Sequence, residues 1–126
     1  MKIRLTILAA AASFLLIQGP VLAHHGSAAY DNKTPVTVTG IVTDFQFVNP
    51  HVIVSFDVKD EKGGVQKWQG ELTSPNHLLH AGWNAHSIKP GDQITLTGLR
   101  AANGSTALRI NKTVVNGKEL STAEGD

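Results

Sequence analysis

VTVTGIVTDFQFVNPHVIVSFDVKDEKGGVQKWQGEL, running from Val36 to Leu72, is the stretch whose reading decides the fold. Its centre is the corner Asn49-Pro50-His51. Before the corner, apolar residues alternate with polar ones from Val36 to Val42 and resume at Phe45 and Phe47. After it, Val52, Val54, Phe56 and Val58 repeat the alternation. Period two is the mark of a strand with one buried face. Proline has no backbone donor and fixes its own φ, so Asn-Pro breaks the ladder and turns the chain. A histidine directly after that break stands at a strand end, on the rim of a sheet.

The apolar positions of the first strand, about Val36 to Phe47, are even up to Val42 and odd at Phe45 and Phe47. A switch of phase predicts a bulge near Thr43-Asp44. Gly40 within the strand permits strong bending. The second strand runs from His51 to Lys59, and Asp60-Glu61-Lys62-Gly63-Gly64 is a turn signal. The third, Val65 to Leu72, carries Trp68 and Leu72 on its even face. Setting inward residues opposite inward residues pairs Phe56 with Trp68 and Val52 with Leu72. His51 and Glu71 then share the other face near one end, with Ile53 opposite Glu71.

Beyond this hairpin, Ser74-Pro75 is a helix start, with a side-chain oxygen at the N-cap and proline at the first helical position. Two turns follow, and Gly82 is placed to end them. Pro90-Gly91-Asp92 is a tight turn. A fourth strand, Gln93 to Leu99, carries Ile94 and Leu96 inward, and a turn containing Asn103-Gly104 leads to a fifth, about Thr106 to Val115. Asn116-Gly117 turns again before Lys118-Glu119-Leu120. Three strands, a short helix and two strands predict an all-β chain: a small five-stranded OB-like Greek-key barrel with the helix between strands three and four. An open β-sandwich is the alternative.

Residues 1–23 read as a cleaved signal peptide. Lys2 and Arg4 give a basic start, Leu5 to Ile17 is apolar, and Val21-Leu22-Ala23 suits cleavage after Ala23. The organisation expected is a signal over 1–23, an extended arm over 24–35, the barrel over 36–120 and a disordered tail over 121–126. The product is expected to be periplasmic or secreted, with no membrane association after cleavage. Without Lys2 and Arg4, nine Lys and Arg face ten Asp and Glu, a formal charge of −1. That balance argues against nucleic acid as a partner, because phosphate neutralisation needs excess positive charge. No cysteine is present, which removes thiolate metal sites and thiol catalysis.

The mature His24-His25 start, Asn49-Pro50-His51, Trp68 with Glu71, Ser74-Pro75-Asn76, Gly82-Trp83 and Lys89-Pro90-Gly91-Asp92 together resemble a bacterial family of small exported proteins classed only as a domain of unknown function. The resemblance spans nearly all of the mature chain. It implies an exported small barrel and implies no reaction. Its pattern includes His24, His25, Asn49, Pro50, His51, Glu71, Gly82 and Trp83, while His77 and His80 fall where that pattern varies.

Cleavage after Ala23 would give His24 a free α-amine beside its imidazole, a chelating pair, with a second imidazole at His25. An all-nitrogen set without thiolate suits Cu(II), with zinc and nickel as alternatives. The bland reading is a solvated terminus. His51 is the third candidate ligand. Glu71 can ligate or can orient the imidazole from behind, and the pair can also be a rim ion pair contributing about 0–1 kcal/mol. Asn49 and Trp83 complete the candidate surroundings. His77 and His80, three residues apart, lack the intervening Glu of an HExxH site. The leading expectation is an exported, non-catalytic binding protein for a metal ion, copper first. The alternative is an OB-type binding module for a peptide, a glycan or another envelope protein. A hydrolase using His51 and Glu71 ranks last, because no nucleophile constellation is evident.

Overall fold

The computed structural model describes residues 29–31 and 33–123. Six strands and one helix follow in order: β1 (Val36–Gln46), β2 (Ile53–Lys59), β3 (Val65–Glu71), α1 (Pro75–His80), β4 (Gln93–Arg100), β5 (Ala107–Val115) and β6 (Lys118–Leu120). The sheet order is β3-β2-β1-β4-β5-β6, and a further β3–β5 pairing joins the ends. That pairing is parallel and short, Gln69 to Glu71 against Ala107 to Arg109. It closes five strands into a barrel, with β6 appended beyond β5. The architecture is the OB-like barrel that the strand–helix–strand order implies.

The period-two reading of the hairpin is realised residue by residue. Phe56 lies opposite Trp68 and Ile53 opposite Glu71. The register of β1 on β2 shifts between Val42 and Asp44, where the apolar phase switches. There the bulge turns one long strand so that it serves β2 along one part and β4 along another. Gly40 has a steric role as well: a Cβ at this position would run into the Asp57 carbonyl of β2. Only glycine lets the two backbones approach this closely.

The barrel interior holds Val42, Val54, Phe56, Trp68, Ile94, Leu96, Leu108 and Ile110. Val52, Leu72, Leu78, Trp83 and Ile88 extend that core into the helix and its connectors. The Ser74 hydroxyl caps α1 by accepting from the His77 amide at 3.3 Å. Gly82, at φ +90°, ends it. The Gly82 and Trp83 amides donate to the Leu79 and Leu78 carbonyls, a Schellman closure that leaves the Trp83 ring turned into the core. Its indole N–H donates to the Ser121 carbonyl at 2.7 Å. Ser121 and Thr122, assigned to the fraying tail by the sequence reading, are thus engaged: the Thr122 carbonyl lies 3.0 Å from the His77 ring Nε2.

Candidate functional site

His51 is positioned by the break that precedes it. β1 ends at Gln46, the Asn49–Pro50 peptide is cis, and Val52 is fully buried just before β2 begins. With Val52 inward, His51 faces outward on the side of Ile53. Glu71 is the last residue of β3, paired with Ile53, so its side chain meets the imidazole across the hairpin end. His51 Nδ1 and Glu71 Oε1 form an ion-pair contact. The His51 side chain is 50% exposed and that of Glu71 only 16%. The carboxylate is therefore the held partner and the imidazole the presented one.

The second oxygen of Glu71 has a partner that the sequence did not reveal. The Tyr30 hydroxyl donates to Glu71 Oε2 at 2.7 Å. Tyr30 comes from the arm, which is pinned to the β4–β5 turn by a bridge to Ala101 and by backbone bonds from Asp31 to the Arg100 carbonyl and from Ala102 to the Ala29 carbonyl. Burial, then the Glu71 hydrogen bond and charge, push the Tyr30 phenol from 10.0 up to about 12; the Arg109 charge pulls weakly the other way. Tyr30, Glu71 and His51 thus form a continuous relay, phenol to carboxylate to imidazole.

With Nδ1 directed at a carboxylate, a neutral imidazole carries its proton on Nδ1 and its lone pair on Nε2. That is the arrangement of a histidine poised to bind a metal ion or to accept a proton. Two clefts meet at His51. One, of about 170 Å³, is lined by His51, Glu71, Leu72, Thr73, Arg109 and Ile110. The other, of about 260 Å³, is lined by Val48, Asn49, Pro50, His51, Ile53 and Glu71. Asn49 therefore stands beside His51, as the corner predicts. Trp83 lines neither cleft; it is a core residue tied to Ser121, so it is corrected from the candidate surroundings of His51 to the core. His24 and His25 lie outside the described residues. Among the described residues no group of three or more His, Asp or Glu is arranged to hold a metal ion, and no helix is long and apolar enough to cross a membrane.

Two residues of the site, Tyr30 and Arg109, carry no motif. A lone tyrosine in a polar arm and an arginine on the fifth strand acquire meaning only through long-range pairing. Residues 13–109 match a family of unknown function, DUF6152. Among curated proteins none matches the chain. Among solved structures it is similar to a chain in the crystal structure of yeast Stn1 and Ten1, 15% identical, with a TM-score of 0.41. That likeness covers 65% of this chain and 42% of the other, less than half of the latter's length.

Proposed function

This chain belongs to DUF6152, a family of unknown function, and we propose that it is an exported, non-catalytic binding protein that holds a transition metal, copper first, through His51 and a mature terminus at His24 and His25. The observation that carries this reading is the shared carboxylate of Glu71, which receives both His51 Nδ1 and the Tyr30 hydroxyl. The first contact aims Nε2 outward as a ligand. The second fixes the arm next to that ligand. Tyr30 is only five positions from His25, a span of at most about 18 Å of extended chain. The anchoring of Tyr30 supports delivery of the terminal nitrogens to His51, where an unanchored arm would be free to go elsewhere. Amine and imidazole nitrogens are the donors that Cu(II) prefers.

The test is a Cu(II) titration of untagged protein beginning at His24, compared with protein that retains Ala23 as its first residue and with His51→Ala. The processed protein is expected to bind most tightly, and both variants to bind more weakly. Equal affinity and an equal pH profile for all three would end the metal reading.

One observation favours a second reading, a binding module for a peptide, a glycan or an envelope protein. The cleft beside His51 has an apolar wall of Val48, Pro50 and Ile53, and Val48 is 49% exposed. Val48→Ser would weaken such an association and leave Cu(II) affinity unchanged.

A further inference from the structure

We propose that the smaller cleft at His51 binds a carboxylate group, held between the Arg109 guanidinium and the Thr73 hydroxyl. The cleft lies on the seam where β3 and β5 pair in parallel, with Arg109 opposite Glu71. Its lining brings these two donor-bearing side chains to one small space of about 170 Å³. Guanidinium is permanently charged and presents a planar fork that matches a carboxylate. Among the described residues Arg109 makes no side-chain hydrogen bond or ion pair. The nearest carboxylate on its neighbouring strand, Glu71, has a donor on each oxygen, His51 on Oε1 and Tyr30 on Oε2. The arginine fork is therefore left for an external partner.

Two opposite charges line the cleft, Glu71 of β3 and Arg109 of β5. The carboxylate site does not require the metal: a chelator removes the ion and leaves Arg109 and Thr73 in place, so the failure of one reading is distinguishable from the failure of the other.

The experiment uses full-length mature protein treated with a chelator, followed by ¹⁵N-edited NMR at pH 6. Sodium acetate is titrated against sodium chloride at matched ionic strength. A dipeptide with a free C-terminal carboxylate and its amide form a second arm. Saturable shifts around Arg109 and Thr73 with acetate, absent with chloride, are expected. Arg109→Gln should weaken binding at least tenfold, and Arg109→Lys should weaken it several-fold because the charge remains and the fork is lost. Arg109 is exposed, so both variants should retain the fold, which the same spectra verify. Tighter binding of the free-acid dipeptide than of acetate, with none by the amide, would identify a chain terminus as the ligand source; acetate binding alone would identify a small free acid. Equal shifts with chloride, or unchanged acetate affinity in Arg109→Gln, would overturn the proposal.

Discussion

Tyr30 and Glu71 lie 41 positions apart and are joined by a phenol-to-carboxylate hydrogen bond of 2.7 Å. The bond makes the N-terminal arm part of the barrel's site. It also occupies the carboxylate oxygen that His51 leaves over, so neither oxygen of a largely buried Glu71 lacks a donor. Removing either donor would leave a desolvated acceptor unsatisfied, a costly state.

Alkaline titration reads this docking directly. The Tyr30 phenol is raised from 10.0 to about 12, by burial first and then by Glu71. A raised folded pKa means the stabilisation is complete below pH 10 and is lost as pH climbs from 10 through about 12. The chain has one tyrosine, so tyrosinate absorbance reports on Tyr30 alone. A midpoint near 12 is expected, and Glu71→Gln should lower it only partway, because burial persists. A midpoint of 10 in the intact protein would show that the arm is undocked in solution.

Glu71→Gln should also weaken Cu(II) binding by roughly 10–100-fold, the usual cost of losing a carboxylate that orients a ligating imidazole. His51→Ala should weaken it further without lowering the melting temperature much, since half of that side chain is already in solvent. On the proposed metal reading, protons compete with metal at each nitrogen, so affinity should fall as pH drops. Equilibrium dialysis over a pH series measures both effects. Undiminished binding by Glu71→Gln would assign the carboxylate a structural role only.

Trp68→Ala should cost on the order of 3–5 kcal/mol, as for other buried aromatics truncated to alanine. Trp68 faces Phe56 across the hairpin, ring centroids 6.3 Å apart. The Arg100 guanidinium lies 5.2 Å from its ring centroid. The truncation therefore removes core volume and a cation–π contact together. Urea unfolding measures the loss, and a change under about 1 kcal/mol would contradict the burial of the ring.

Asp92 predicts an acid response. The Lys89 backbone amide donates to one oxygen at 2.9 Å and the Asn116 side chain to the other at 3.0 Å. These bonds, the backbone one foremost, hold its carboxyl below the ordinary 3.8. A depressed folded pKa means that its contribution is present above pH 3.8 and is lost as pH falls through the lower, folded value. Asp92→Asn should flatten the acid limb of the stability–pH curve in that window and leave the neutral limb sloping as before. An unchanged acid limb would detach this turn from acid stability.

The legibility of this fold in the sequence follows the range of each interaction. Phe56 opposite Trp68 and Ile53 opposite Glu71 follow from period two and one hairpin turn, both local signals. The phase switch before Phe45 marks the bulge for the same reason. Ser74, Pro75 and Gly82 announce both ends of α1 through hydrogen-bond chemistry confined to a few residues. His51 and Glu71 are legible as a pair because the hairpin carries both. Tyr30 is not, because it reaches Glu71 through an isolated bridge to Ala101, which imposes no periodicity on the arm. Arg109 stays hidden because a parallel pairing of three residues leaves no turn signal behind. Trp83, next to the glycine that ends α1, reads as packing back on the barrel, and the Schellman closure turns it inward.

The β3–β5 seam has a kinetic consequence. It joins residues 38 positions apart through three register pairs, Gln69 with Ala107, Gly70 with Leu108 and Glu71 with Arg109. Every other strand pairing among the described residues is antiparallel. Short non-local pairings carry a large loop-closure cost for few contacts, so they form late and reopen early. Amides along this seam should therefore exchange with deuterium sooner than those of the β1–β2 and β4–β5 ladders. A ligand spanning Thr73 and Arg109 bridges that line from both sides. Its binding should slow the seam's exchange while leaving the distant ladders untouched, so that occupancy of the cleft becomes readable as the breathing rate of the barrel.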